Sequence, residues 1–483
     1  MQYEDLRDFI SQMEAMGEVK VIEGADSHLE IGAIFEIMAG RQERPILLYD
    51  NIKGYPPGFR IVGHATTTAR RTALTLGIPE TLSKPQMVKF WKDKLKTYTP
   101  IPPMEVTDGP VLENDIEGDK INMQIFPAPF WHAGDGGRFI GVGGPTITRD
   151  PDEGWVNMGT YRIQVLNENT LGFHISPGHH GRIMREKYWA KGESCPVVLV
   201  FGMDPRLFLA STNTMPYGKS EFDYAGWLKG SPIKFIKGKY TGLPIPADAE
   251  IAIEGEVPPP DQESAVEGPF GEWTGYYASG AVREPVVKVK RLMYRNDPII
   301  FADPPRSPAL PGGQSFGIPM NAAEIWDKLE AIGIPDIQGV WDHMSGGSGG
   351  GALFVVVSIK QRYAGHARQT AMAVAGSGIG GYHGRWVIVV DDDIDPSDIT
   401  DVIWALSTRC DPVTSFNIVT DIWSTRLDPM ISPDKVQKGD MTNSRALVTA
   451  VKPFYRDDFP ATSALSKEDK KKYTEKWIKV IGA

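Results

Sequence analysis

Cysteine is nearly absent from this chain. Cys195 and Cys410 are the only two among 483 residues, far apart in sequence, which excludes a disulfide scaffold or zinc-finger array and fits a reducing compartment. Long apolar runs are missing as well, and none approaches the ~20 residues that cross a bilayer. The opening Met1-Gln2-Tyr3-Glu4-Asp5-Leu6 lacks a basic stretch followed by an apolar one, so no secretory signal is expected and the expected location is the cytoplasm. Dense positive charge is scarce. The formal charge is −10, and the triplet Lys470-Lys471-Lys472 is flanked by acids, as on a solvated helix face. Nucleic acid is therefore not an expected partner.

What is present is a close pair of acids. Glu267-Gly268-Pro269-Phe270-Gly271-Glu272 sets two carboxylates five residues apart. On a plain strand that odd spacing would send them to opposite faces. The glycines and proline break the regularity and could aim both at one point. Acid–base chemistry often requires two acids held so closely in an apolar setting.

A chain of 483 residues exceeds one ordinary core, so two or three domains are expected. Apolar residues at helical spacing (Leu6, Phe9, Ile10, Met13, Met16) predict a helix over 3–16. A strand over 19–22, a helix over 30–39 and strands over 46–49 and 60–63 complete a small α/β unit, residues 1–105. It ends near Thr99-Pro100-Ile101-Pro102-Pro103. Short strand-like runs broken by Gly and Pro follow, over 144–148, 159–166, 196–202, 233–240, 249–256 and 286–294, as in a β-barrel or sandwich at 106–310. Helices over 322–331, 365–375 and 398–406 alternate with strands over 353–359, 386–390 and 416–419, which suggests an α/β/α domain at 311–460. A last helix, within 461–483, could dock on another subunit or on its own chain.

Several motifs dissolve on inspection. Gly376-Ser377-Gly378-Ile379-Gly380-Gly381 follows a helix and leads into a strand, the reverse of a dinucleotide fingerprint. The Gly-rich run 345–351 lacks the Lys-Ser/Thr of a phosphate loop and reads as a connection. Asp391-Asp392-Asp393-Ile394-Asp395 fits acids that satisfy a helix N-terminus better than it fits a metal site. His174, His179 and His180 cluster with no cysteine nearby, and each alone reads as structural. Asn157-Met158-Gly159-Thr160-Tyr161-Arg162 puts an amide and a guanidinium on one strand. The glycine between them would permit close approach of a ligand. A buried Arg there calls for a carboxylate, and Glu267 and Glu272 are the candidates.

Taken in order, Asn157–Arg162, the His180 region, Ala210-Ser211 followed by Glu221, and Glu267–Glu272 resemble the UbiD family of reversible decarboxylases, across nearly the whole chain. The resemblance implies a flavin-reductase-like split β-barrel in the middle region that holds prenylated FMN. Asn157, His180 and Glu221 match ligands of a divalent ion, usually Mn2+, that bridges to the cofactor phosphate. Ala210, Ser211 and Met215 match the segment beside a K+ ion and the flavin, with Glu221 shared between the metals. Gly159, Thr160, His179 and Arg385 would also border the cofactor, although Arg385 stands where a lysine is expected. Arg162, Glu267 and Glu272 match the catalytic trio.

The implied reaction is decarboxylation of an aromatic, heteroaromatic or α,β-unsaturated acid through a cofactor cycloadduct. Glu267 pairs with Arg162, Glu272 donates the proton, and carboxylation can occur at high CO2. Implied partners are the acid, CO2, a flavin prenyltransferase as cofactor supplier and further copies of the chain in a dimer or hexamer. Asp303–Pro311 lacks the acidic pair carried by many relatives, and Phe130-Trp131-His132 could help close the site or simply pack as aromatics. On the residues alone, an FMN-dependent oxidoreductase on the same barrel and a non-catalytic partner subunit stay open.

Overall fold

Helix Leu6–Ala15 starts where the Asp5 carboxylate accepts the Asp8 amide hydrogen, and it buries Leu6, Phe9, Ile10 and Met13 on one face. Met16 falls just past the helix end and is exposed. The computed structural model describes residues 2–41, 44–213, 215–278, 280–305, 318–344, 352–378, 384–463, 465 and 467–481. The run 345–351, residues 379–381 of the glycine motif and residues 306–311 of the Asp303–Pro311 segment lie outside them.

The N-terminal sheet runs Val19–Glu23, Ile46–Asp50, Arg60–Gly63 and then Ile299–Ala302. The fourth strand comes from the far end of the stretch expected as the middle region, 106–310. Ile299–Ala302 is buried throughout and pairs in parallel with Arg60–Gly63. An all-apolar strand needs cover on both faces, and the N-terminal unit supplies it.

The middle of the chain is a ten-stranded antiparallel half-barrel. The run expected as one strand over 159–166 is two strands, Val156–Thr160 and Ile163–Val165. Val156–Thr160 ends the strand order, whereas Ile163–Val165 lies next to the opposite end. Two link residues, Tyr161 and Arg162, reach only about 7–10 Å. The sheet must therefore curl until its ends nearly meet, and Arg162 sits at the closure. Three helices absent from the sequence expectation lie here as well: His180–Ala190, Pro205–Ser211 and Glu221–Lys229. All three pack on Val156–Thr160.

The C-terminal mixed sheet orders Ile337–Asp342, Phe354–Ile359, Trp386–Asp391, Thr442–Ala450 and Phe416–Trp423. Helices Ile318–Ala331, His366–Gly376 and Ile399–Arg409 accompany it. Two of the four acids at 391–395 are ion-paired rather than capping a helix. Asp391 and Asp393 accept Arg409 at 2.9 and 2.6 Å, and Asp393 takes Lys452 at 2.9 Å. Asp398 caps Ile399–Arg409 instead. Helix Lys467–Ile481 leaves Tyr473, Trp477 and Ile478 exposed.

Candidate active site

At the barrel closure, Arg162 joins the two acids of the Gly-Pro loop. Its Nε and Nη2 donate to Glu267 Oε1 and Oε2 at 2.8 and 2.7 Å, and its Nη1 donates to Glu272 Oε1 at 2.7 Å. Gly268, with φ +75°, turns the chain between the two acids in a conformation that glycine adopts without strain. The Arg162 and Glu267 side chains are 8% and 0% exposed, and Glu272 is 13% exposed. Burial raises the Glu272 carboxyl above its ordinary range, more than the Arg162 and His174 charges lower it, and the charge of Glu267 pushes the same way as burial. Burial works against the Arg162 cation, yet hydrogen bonding and charge from Glu267, with the charge of Glu272, hold it above its ordinary value. The site therefore contains a fixed cation, one acid gripped by two parallel hydrogen bonds, and one acid biased towards its protonated form. Phe270 lies beneath the guanidinium at 5.5 Å.

A second cluster lies on Val156–Thr160. Asn157 is 2% exposed, and its side-chain nitrogen has no hydrogen-bond partner. Next to it, the Met158 amide donates to Glu221 Oε2 at 2.7 Å. Glu221 is 3% exposed, and burial pushes its carboxyl up to about 7. Ser211 donates its hydroxyl proton to the Phe208 carbonyl at 2.8 Å, so Thr160 is the donor in the 2.7 Å Thr160–Ser211 contact. Ala210 is buried in the same short helix, and Met215 Sδ accepts from Asn213 at 3.4 Å. His180 opens helix His180–Ala190, with the rings of Trp155 and Tyr217 edge-on at 5.5 Å each. His179 precedes that helix, edge-on to Tyr161 at 5.8 Å.

Three sequence expectations change. A Cβ on Gly159 would lie 2.5 Å from the Tyr161 hydroxyl, so the glycine there makes room for Tyr161. Arg385 pairs with Asp428 at 2.5 Å in the C-terminal domain, away from the other candidates in hydrogen-bonding terms. His174 bonds Glu284 at 2.8 Å and Ser176 at 3.3 Å. Trp131 is buried and donates to the Phe139 carbonyl at 3.1 Å, so it packs beside the site rather than capping it.

Sequence reasoning missed Asp135 and Gln164, which hold the acid loop from behind. Glycines at 134, 136 and 137 were the available signal, because they mark backbone packed against backbone.

A buried amide, whose oxygen can act as a ligand, beside a buried carboxyl suits a cation. Amide oxygen, imidazole and carboxylate form a donor set for a hard-to-borderline divalent ion. Among the described residues no group of three or more His, Cys, Asp and Glu gathers as a metal site. No helix among those residues is long and apolar enough to cross a membrane.

Residues 104–308 match the family model of the 3-octaprenyl-4-hydroxybenzoate carboxy-lyase Rift-related domain (UbiD). Residues 10–90 and 314–450 match the N-terminal and C-terminal domain models of the same carboxy-lyase. A pyrrole-2-carboxylic acid decarboxylase from Pseudomonas aeruginosa is 31% identical over 85% of this chain and 84% of its own length. Vanillic acid decarboxylase from Sedimentibacter hydroxybenzoicus (ShVdcCD), in an open form, superposes with a TM-score of 0.84 at 26% identity, covering 99% of this chain and 100% of its own. The UbiD-class enzyme HmfF from Pelotomaculum thermopropionicum, in complex with FMN, gives 0.83 at 28% identity, covering 97% and 98%. An evolved dimeric form of it, in complex with prFMN, gives 0.78 at 26%, covering 96% and 99%.

Proposed function

Because this chain belongs to the UbiD family of carboxy-lyases, we propose that it interconverts an aromatic or heteroaromatic carboxylic acid with its decarboxylated product and CO2. The cofactor is prenylated FMN, with Mn2+ and K+. The observation that carries the reading is the single guanidinium that grips Glu267 with two hydrogen bonds and Glu272 with one.

Three of the five Arg162 N–H donors engage the glutamates, which leaves two for a substrate carboxylate. Arg162 orients that group until it leaves as CO2. Glu267 fixes the guanidinium plane. Glu272, whose carboxyl burial shifts towards the protonated form, delivers its proton to the carbon that lost the carboxylate and takes up another from solvent before the next cycle. Asn157, His180 and Glu221 would hold Mn2+ beside the cofactor phosphate, and the Ala210–Met215 segment would hold K+. When bound, the prenylated flavin supplies the electron sink for the pair released as the C–CO2 bond breaks. Low exposure at the trio keeps water from competing for the proton.

An aromatic acid is preferred because relatives named for pyrrole-2-carboxylic and vanillic acids are similar along most or all of the chain. The apolar face of helix Lys467–Ile481 favours a homo-oligomer. Co-expression with a flavin prenyltransferase, with Mn2+ and K+ supplied, tests the reading through CO2 release from a panel of aromatic and acrylic acids. Release from one aromatic class is expected. A folded, prenylated-FMN-loaded protein inert towards every acid, and unable to exchange labelled CO2 into the products, would refute it.

A further inference from the structure

Glu272 begins a tight turn. Its amide donates to the Tyr276 carbonyl at 3.0 Å, and its own carbonyl accepts from the Gly275 amide at 2.9 Å. One buried carboxylate outside the catalytic trio holds both ends of this turn. Asp135 Oδ1 accepts from the Gly271 amide at 3.1 Å, immediately before Glu272, and from the Tyr277 hydroxyl at 3.2 Å, immediately after the turn. Asp135 Oδ2 accepts the His132 amide at 2.9 Å, which locks the carboxylate to its own loop. The Asp135 side chain is 0% exposed.

A parallel clamp sits at the loop entrance. Gln164 Oε1 accepts from the Gly268 amide at 3.0 Å, while its Nε2 donates to the Gly136 carbonyl at 3.2 Å. The Gly136 amide in turn donates to the Pro269 carbonyl at 2.7 Å. The two loops run so close that a Cβ on Gly136 would lie 1.8 Å from the Gly268 carbonyl oxygen. Gln164 follows Arg162 by two residues, so the segment that presents the guanidinium also fixes the loop that presents both acids.

We propose that Asp135 and Gln164 are positioning residues that set the Glu272 carboxyl against the reacting carbon, Asp135 from both ends of its turn and Gln164 through Gly268. The claim rests on Glu272 as the proton donor. Neither side chain bonds to Arg162, Glu267 or Glu272 themselves. Their effect passes through main-chain placement, to which proton transfer is sensitive: a 1 Å misplacement costs about 10²-fold.

The test compares wild type, Asp135→Ala, Asp135→Asn, Gln164→Leu and Glu272→Gln as prenylated-FMN holoenzymes. Flavin content, melting temperature, kcat, KM and the pH profile of kcat are recorded for each. Asp135→Ala is expected to keep its flavin and a KM within about threefold while kcat falls about 30–100-fold. Its alkaline limb should move to lower pH, because a loosened loop admits water and relieves the burial that raises the Glu272 carboxyl. Asp135→Asn retains an oxygen for Gly271 and Tyr277 and should bring kcat back to within about fivefold of wild type. Should Asp135→Ala fail to fold, Gln164→Leu decides, with an expected loss in kcat of about tenfold at unchanged flavin content. Wild-type kcat with an unshifted limb in flavin-loaded variants would overturn the proposal, as would a loss of kcat merely proportional to lost flavin. Glu272→Gln separates the two claims. Full turnover there removes the proton donor and the positioning role with it. An inactive Glu272→Gln beside fully active Asp135→Ala and Gln164→Leu removes positioning alone.

Discussion

The Arg162 trio and the Asn157–Glu221 cluster lie at the two ends of one short stretch of chain, and they meet opposite needs. In the trio, every buried charge has a protein partner at hydrogen-bond distance. In the cluster, Glu221 is buried with hydrogen bonds from backbone amides and none from a charged side chain. Charge burial is costly without compensation. The first site is therefore complete as folded, and the second leaves a buried carboxyl that a bound cation would compensate. A catalytic group must be rigid before substrate arrives, whereas a cofactor anchor gains affinity from groups left unsatisfied until loading.

Arg162→Met breaks the complete site most severely. It strands two carboxylates in one buried place, and removing one partner of a buried pair costs about 3–5 kcal/mol. Melting temperature should fall by several degrees and turnover by about 10³-fold or more, read by calorimetry and CO2 release. The incomplete site should respond to metal instead. Saturating Mn2+ is expected to raise the melting temperature of metal-free protein by about 3 °C. Glu221→Gln should abolish that rise while leaving the metal-free form at least as stable as wild type, because no uncompensated carboxylate is then buried.

The pH profile sharpens the contrast from the side of the trio. Burial raises the Glu272 carboxyl, so the proton-donating form persists above the ordinary carboxylate range, and kcat should decline as pH rises through that raised value. A profile still climbing there would contradict the assignment. Thr160→Val, the mildest change, removes the donor to Ser211 and should cost about 1 kcal/mol of stability by denaturant titration, with kcat nearly intact.

The acid pair and the Arg162 partnership were legible in sequence because two glutamates around Gly-Pro-Phe-Gly have few bland uses. The N-terminal and C-terminal α/β units were legible in part through the apolar stripes of their helices, while helices Ala69–Thr75 and Lys84–Leu95 and strands Ile337–Asp342 and Thr442–Ala450 were missed. Pro205–Ser211 was not, since all seven of its residues are buried, and a helix covered on every side has no polar face to mark its period. Glu221–Lys229 was hidden similarly, with a charged residue among its buried positions. The strand break at Tyr161-Arg162 depends on sheet closure. The pairing of Ile299–Ala302 with Arg60–Gly63 spans more than two hundred residues. Local periodicity carries neither. The Arg385–Asp428 pair is likewise a tertiary contact.

The most direct measurement is turnover by the Glu272→Gln holoenzyme at wild-type prenylated-FMN stoichiometry, verified by cofactor mass. Gln keeps the shape and the hydrogen bond to Arg162 but cannot give up a proton at neutral pH. The account predicts full cofactor loading and product formation reduced by about 10³-fold or more. Wild-type turnover in that loaded variant would contradict it.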